Sequence, residues 1–371
     1  MSVLRLAIIG AGHLGRIHAK LAKSNEQFEV IGVADPSAAA LQQVAEQLSL
    51  PTLTDYQQLI GKIDAAIIAA PTGNHYEISS TLLRAGIHTL VEKPLATTPE
   101  QAGRLVQIAR SHNRVLQTGH VERFNPVWTA ATPHLEKPKY IESLRAGSYS
   151  GRSTDIGVVM DLMIHDLDLV LSLDRSEVTQ ISASGIAVVG VHEDLAEARI
   201  EFASGCVASL RASRLATKAT RCMQVFASHC YANIDFSASE VSLVKPSLNV
   251  LGRDVLLDRM SAQERMAAKD SIYGELLQVN TICAPSRNAI LDEHNDFALS
   301  IRSGCSPAVS GDDGYRAVDV ASRVLEAIAD HRWDGIHSRP WRIGALSDVA
   351  PQILKLPNVD STAPTEKRRA G

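Results

Sequence analysis

The 371-residue chain has no run of 18 apolar residues, so no segment has the make-up of a transmembrane helix. Its opening, MSVLRLAIIG, passes from one arginine into a short apolar strand and a glycine motif, and is expected not to be a signal peptide. Cysteine is sparse. Cys206, Cys222, Cys230, Cys283 and Cys305 are odd in number and form no CxxC pair, which argues against a disulfide framework and for a reducing cytoplasm. Positive charge is not in excess: 37 Lys plus Arg against 41 Asp plus Glu give a net charge of −4. No basic field therefore points to nucleic acid or an anionic membrane, and any phosphate must be bound locally. Repeats and low-complexity tracts are missing, and only residues 360–371 shift in composition, to a polar tail.

What is present is ordinary globular composition, 45% hydrophobic and 21% charged, in a chain long enough for two domains. The reading divides it into a dinucleotide-binding domain over 1–121, a substrate and oligomerisation domain over 122–334, and an irregular tail over 335–371. From residue 4 to 121 short β-branched runs alternate with longer amphipathic stretches, the pattern of βαβ units on a parallel sheet. Strands are expected at 5–9, 29–34, 51–53, 65–69, 88–91 and 115–118, with helices at 13–24, 38–48, 55–60, 75–85 and 99–112. This is an α/β, doubly wound Rossmann arrangement. Beyond Asn125 one prominent helix at 158–173 is followed by short alternating segments, among them 197–202 and 206–211 around Ser204-Gly205. Helical patterns return at 262–281, 292–302 and 315–329, so the second domain is expected to be α+β with a large antiparallel sheet.

Gly10-Ala11-Gly12-His13-Leu14-Gly15 follows the first strand and opens a helix. Glycine permits the tight turn and lets backbone N–H groups approach a pyrophosphate at the positive end of that helix. Asp35 closes the second strand, where a carboxylate accepts both ribose hydroxyls of an adenosine and repels a 2′-phosphate; Pro36-Ser37 supplies no cation to offset it. The expected cofactor is NAD. Ala70, Thr72, Asn74 and His75 after the fourth strand, and Glu92 and Lys93 after the fifth, are expected to line the same crevice. The plainer reading of these segments is helix capping and an exposed ion pair, and for Lys93 the residues alone favour neither.

Asp161, His165 and Asp168 lie at i, i+4 and i+7 on an apolar helix, so they share a face. A carboxylate one turn from a histidine suits general acid/base work, because it can fix the tautomer and support the imidazolium. The same stripe could hold a divalent metal, although none is expected. A last group, Arg123 and Asn125 in Gly119-His120-Val121-Glu122-Arg123-Phe124-Asn125-Pro126, with Arg145, Arg152 and Arg214, suits phosphate and sugar hydroxyls, or else is solvated surface.

Taken in order, GAGHLG, the strand-ending Asp35, APTGNH, EKPLA, GHVERFNP and DLMIHDLDL resemble the glucose-fructose oxidoreductase, inositol dehydrogenase and rhizopine-catabolism (Gfo/Idh/MocA) family from residue 4 to about 329. The resemblance implies that Lys93, Asp161 and His165 are the catalytic group and that the sheet is a platform for homodimers or homotetramers. Within the family the motifs are most similar to the branch that oxidises UDP-N-acetylglucosamine at its 3-hydroxyl and passes the keto sugar to an aminotransferase for lipid A. Related branches act on UDP-hexuronates, inositol or free sugars. The expected reaction moves hydride from a secondary alcohol carbon to NAD, with His165 taking the proton, Asp161 orienting His165 and Lys93 stabilising the alkoxide. Exchanged roles for Lys93 and His165 stay open. Arg123 and at least one of Arg152 and Arg214 are expected to hold the diphosphate. Rival readings are an NAD-dependent glycosidase and a non-enzymatic NAD-sensing regulator.

Overall fold

Short, wholly apolar strands such as Ala65–Ile68 can be buried on both faces only if helices cover both sides of their sheet, and that is the arrangement found. The structure, a computed structural model, describes residues 3–149, 156–333, 336–337 and 341–342. Strands β1 (Leu4–Ile9), β2 (Phe28–Ala34), β3 (Thr52–Leu53), β4 (Ala65–Ile68), β5 (His88–Glu92) and β6 (Leu116–Gly119) form one parallel sheet in the order β3-β2-β1-β4-β5-β6. Helices α1 (His13–Lys23), α2 (Ala38–Leu48), α3 (His75–Arg84) and α4 (Pro99–Ser111) cross between them. Thr98 caps α4 through the Gln101 N–H with Pro99 in the first turn, as its sequence requires. The helix expected at 55–60 is a single 3₁₀ turn, Tyr56–Leu59. Strand order reverses between β1 and β4, which opens a crevice beyond their carboxyl ends.

After α5 (Pro126–Ala131) comes β7 (Tyr140–Ala146), then a π-helical turn, Val159–Met163, that runs into α6 (Ile164–Leu173). Strands β8 (Val178–Ala187), β9 (Leu195–Phe202), β10 (Val207–Ser213), β11 (Thr220–Phe226), β12 (Tyr231–Asp235) and β13 (Glu240–Pro246) lead to the short helices α7 (Leu248–Leu251) and α8 (Ala262–Ala268), then β14 (Leu277–Cys283). Helices α9 (Ala289–Ser303) and α10 (Gly311–Asp330) follow, then the two-residue strands β15 (Arg332–Trp333), β16 (Ile336–His337) and β17 (Trp341–Arg342). The second sheet runs β14-β13-β12-β11-β7-β10-β9-β8-β17 and is mixed, mostly antiparallel, with β7 parallel to β10 and β17 parallel to β8. Alternation buries Ala208, Leu210 and Ala212 in the same core as Ile164 and Leu167 of α6.

Two differences from the sequence reading concern late segments. The helix expected over 262–281 ends at Ala268; Gly274 takes φ +118, and Leu277–Cys283 pairs with β13 as an edge strand. Ladder bonds and the β-branched Val279, Thr281 and Ile282 outweigh the helical periodicity there. Helices α9 and α10, although they follow the second sheet in sequence, return to the first: Phe297 and Ala298 share a buried cluster with Leu4, Leu6, Ile8 and Ala19, and the Thr118 N–H donates to the Val309 carbonyl at 3.0 Å. No helix among the described residues is long and apolar enough to cross a membrane.

Candidate active site

At the carboxyl end of β1 the chain makes contacts that only glycine permits. Gly10 has φ +108, and a Cβ there would lie 2.5 Å from the Ala69 carbonyl oxygen; a Cβ on Gly15 would overlap the Gly10 carbonyl. Gly12 is different, since a Cβ would meet nothing within 4 Å. Its space is open to a ligand, in front of the N–H groups that start α1. The Asp35 carboxylate accepts from the Ala11 N–H at 2.7 Å and from the Ser37 N–H at 2.8 Å, which holds it against the glycine loop. A cavity of about 410 Å³ opens beside it, lined by Asp35, Pro36, Tyr56, Pro71, Asn74 and Ile78 among others. Glycine cradle, carboxylate and cavity fit the adenosine and pyrophosphate of NAD. His13 and Leu14 stand exposed on the first turn of α1.

After β4, Ala70 and Thr72 are partly exposed and Asn74 is exposed. His75 is buried, and its two ring nitrogens lie 2.8 Å from the carbonyls of Ala70 and Pro94. It therefore braces the loops after β4 and β5 and keeps no polar atom for the cofactor. Glu92 is likewise turned inward, 8% exposed, with Oε1 2.7 Å from His18 Nε2. Glu92, expected to line the crevice, is engaged here by His18 and by the Lys93 N–H.

Lys93 reaches from the end of β5 across to the π turn. Its Nζ donates to the Asp161 carbonyl at 2.7 Å and to Asp161 Oδ1 at 3.2 Å. The expected Asp161–His165 pair is corrected here. In a π turn the i→i+5 pattern winds more loosely than an α-helix, so the residue at i+4 no longer stacks on residue i. The Asp161 carboxylate swings to Lys93, and no hydrogen bond to His165 exists among the described residues; its Nδ1 is buried without a partner. Burial, then the charges of Lys93 and Arg145, push the His165 pKa well below its usual value, which leaves a neutral imidazole at pH 7. The third member of the stripe diverges too. Asp168 accepts both forks of Arg123, at 2.7 and 3.1 Å.

Arg123, Asn125, Arg145 and Arg214, also singled out from sequence, are engaged by the protein itself. Arg123 is held by Asp168 and lies 3.6 Å from Asp313. Arg214 is buried, paired with Asp194, donates to the Ile156 carbonyl at 3.0 Å and stacks over Tyr149. Asn125 caps α5 through the Val127 N–H and donates to Glu122, whose other oxygen takes the buried Arg145. Arg152 lies outside the described residues. Sequence reading passed over His18, His120, Glu293 and His294. His120 is fully buried with neither ring nitrogen bonded, beside Lys93, Asp168 and Glu92, and burial pushes its pKa down. Its signals were its place just after β6 and its inclusion in the GHVERFNP motif, with no role attached to it.

A family model described as an oxidoreductase family with an NAD-binding Rossmann fold matches residues 4–120, and a GFO/IDH/MocA C-terminal domain model matches 134–232. A UDP-N-acetylglucosamine 3-dehydrogenase of Acidithiobacillus ferrooxidans is 37% identical over 238 residues, 63% of this chain and 74% of that protein. An inositol 2-dehydrogenase of Rhizobium meliloti is 22% identical over 345 residues, 89% of this chain and 98% of that one. Among solved structures, UDP-N-acetylglucosamine 3-dehydrogenase GnnA of A. ferrooxidans matches with a TM-score of 0.77 at 30% identity, covering 88% of this chain and 98% of its own. A levoglucosan dehydrogenase in complex with NADH and levoglucosan, at 17% identity and TM-score 0.73 over 88% and 98% of the two chains, shares the fold.

Proposed function

This chain belongs to the Gfo/Idh/MocA oxidoreductase family, and from that membership we propose that it oxidises the 3-hydroxyl of UDP-N-acetylglucosamine to the 3-keto sugar. It is an NAD-dependent oxidoreductase acting on CH–OH groups. The observation that carries the choice of substrate is the likeness, 37% identical, to a UDP-N-acetylglucosamine 3-dehydrogenase. The contacts of Lys93 with Asp161, and the action of the Lys93 charge on His165, support the reaction class.

When bound, NAD supplies the nicotinamide carbon that accepts hydride. The rest falls to side chains of this protein. In this proposal neutral His165 takes the proton from the hydroxyl oxygen as hydride leaves the carbon bearing that oxygen, so the alcohol loses one proton and one hydride. Lys93, oriented by the carbonyl and carboxylate of Asp161, donates to the oxygen as negative charge develops on it. Asp161 thus orients the lysine rather than the histidine. With Arg123 and Arg214 engaged by Asp168 and Asp194, the proposed diphosphate contact rests on Arg152. The proposal includes a sugar aminotransferase as consumer of the keto product and assembly through the second sheet. The proposal also keeps the reducing cytoplasm expected from the sparse, unpatterned cysteines of the sequence.

The test is incubation with NAD and a panel of nucleotide sugars, inositol and free sugars, with products read by mass spectrometry. A keto sugar two mass units below UDP-N-acetylglucosamine is the expected product. Efficient oxidation of free inositol or glucose, with the UDP-sugar untouched, would reject the substrate.

A further inference from the structure

Directly behind Lys93 four ionisable side chains meet with almost no access to solvent. His18 of α1, Glu293 and His294 of α9 are each 0% exposed, and Glu92 at the end of β5 is 8% exposed. Glu92 Oε1 lies 2.7 Å from His18 Nε2, and His18 Nδ1 lies 2.8 Å from His294 Nε2. Glu92 Oε2 accepts the backbone N–H of Lys93 at 3.2 Å. Neither carboxyl oxygen of Glu293 has a partner, yet one lies within 4.8 Å of the facing atoms of both His18 and Glu92. The cluster joins three stretches of chain far apart in sequence, α1, the end of β5 and α9, and the proposed dehydrogenation leaves it unused.

We propose that His18, His294 and Glu293 are positioning residues, which hold Glu92 as the single buried anion behind Lys93. Two carboxyls this close in a dry site cannot both ionise. Glu92 takes the charge because it has the His18 N–H, the Lys93 N–H and the nearby ammonium to stabilise it. Glu293 has none of these and keeps its proton; burial first, then Glu92 and Asp296, push its pKa well above the usual carboxyl range. Donation from His18 Nε2 to Glu92 leaves Nδ1 to accept from His294, whose imidazole burial keeps neutral down to about pH 3. Gln117 of β6 donates to the Glu293 carbonyl at 3.2 Å, and the charges of Lys93 and Glu92 both act on the buried His120. A metal held by His18, Glu92 and Glu293 is disfavoured by spacing. Ligand atoms on a tetrahedral zinc at about 2.0 Å stand roughly 3.3 Å apart, whereas His18 and Glu92 are at hydrogen-bond distance, 2.7 Å.

This inference rests on the reading of Lys93 as catalytic, and its first test is independent of any substrate. Glu293→Gln keeps the shape of a neutral carboxyl. A carboxyl protonated only in the folded state loses stability as pH rises from its unfolded value toward its folded one, and glutamine has no proton to lose. Melting curves between pH 5 and pH 9 should therefore show the variant gaining on the parent as pH rises. Parallel pH profiles, or a variant that loses ground on the parent as pH rises, would overturn the assignment, as would one equivalent of bound metal in the purified parent. The second test is kinetic. His18→Leu should lower kcat at least about tenfold with the Kd for NAD changed less than about threefold. His18→Gln, whose amide mimics the Nε2 donor, should recover most of that loss. An unchanged kcat in His18→Leu refutes positioning. If no alcohol in the panel is oxidised, the proposed function falls, while the Glu293→Gln melts still decide this one.

Discussion

Lys93 and Asp161 are bound to each other twice, through the carbonyl oxygen at 2.7 Å and the carboxylate at 3.2 Å of the aspartate. The lysine follows β5 of the parallel sheet and the aspartate sits on the π turn before α6, so the proposed catalytic group is assembled only when these distant segments meet.

Lys93→Met and His165→Asn should each lower turnover by about a hundredfold or more with NAD binding retained, the scale for losing a positioned proton acceptor or oxyanion partner. Asp161→Asn should cost less, because the carbonyl contact to Lys93 survives. As His165 is neutral well below its usual pKa, the acid limb of kcat/KM should fall below pH 6.5. Steady-state kinetics with NAD titration checks all three; near-normal turnover in the first two discards the assignment.

Asp35→Ser combined with Pro36→Arg should move preference toward NADP, by removing the repelling carboxylate and adding a phosphate partner. The ratio of kcat/KM for the two cofactors is the measurement. A parent that already prefers NADP contradicts the role given to Asp35.

Gly12 and Gly15 should respond differently to the same methyl group. Gly15→Ala forces apart the loop and the Gly10 carbonyl, and should cost about 1 to 3 kcal/mol of stability or more. Gly12→Ala meets open space, so stability should stay within about 0.5 kcal/mol while NAD affinity falls about tenfold or more. Denaturant melts and NAD titrations separate the two; a destabilised Gly12→Ala would show that the space is structural.

Arg123→Ala should act on folding rather than on choice of substrate. It strands Asp168, 1% exposed, without its bidentate partner, and losing one side of a buried pair costs about 3 to 5 kcal/mol. Urea unfolding should show the loss, and residual activity should fall equally on UDP-sugars and free sugars. Selective loss on UDP-sugars would restore Arg123 to the diphosphate.

His88 supplies a pH dependence of stability. Burial, then the Arg114 charge, lowers its pKa from 6.5 to about 4. Below pH 6.5 the unfolded chain binds a proton that the folded protein refuses, so stability falls as pH drops from 6.5 to about 4, by at most about 1.4 kcal/mol per pH unit from this group. His88→Asn should flatten that part of the profile in thermal melts at stepped pH. An unchanged slope would locate the acid sensitivity elsewhere.

The alternation of apolar runs with capped amphipathic stretches determined the parallel sheet, because local propensity, caps and glycine sterics all act within a few residues of one another. The glycine loop and Asp35 were legible for the same reason: strand, turn and helix are contiguous. The edge strand Leu277–Cys283 was not, since only pairing with β13 turns that segment from helix to sheet. At the site, residue types and positions were readable but partners were not. Helical spacing put Asp161 with His165, and a π turn gave it to Lys93; arginine chemistry suggested phosphate, and buried carboxylates claimed Arg123 and Arg214. The Glu92–His18–His294–Glu293 cluster left no sequence signal at all, as its members come from α1, β5 and α9. Contacts between distant segments have no period or spacing to read, and the charge states they impose exist only after burial has removed water.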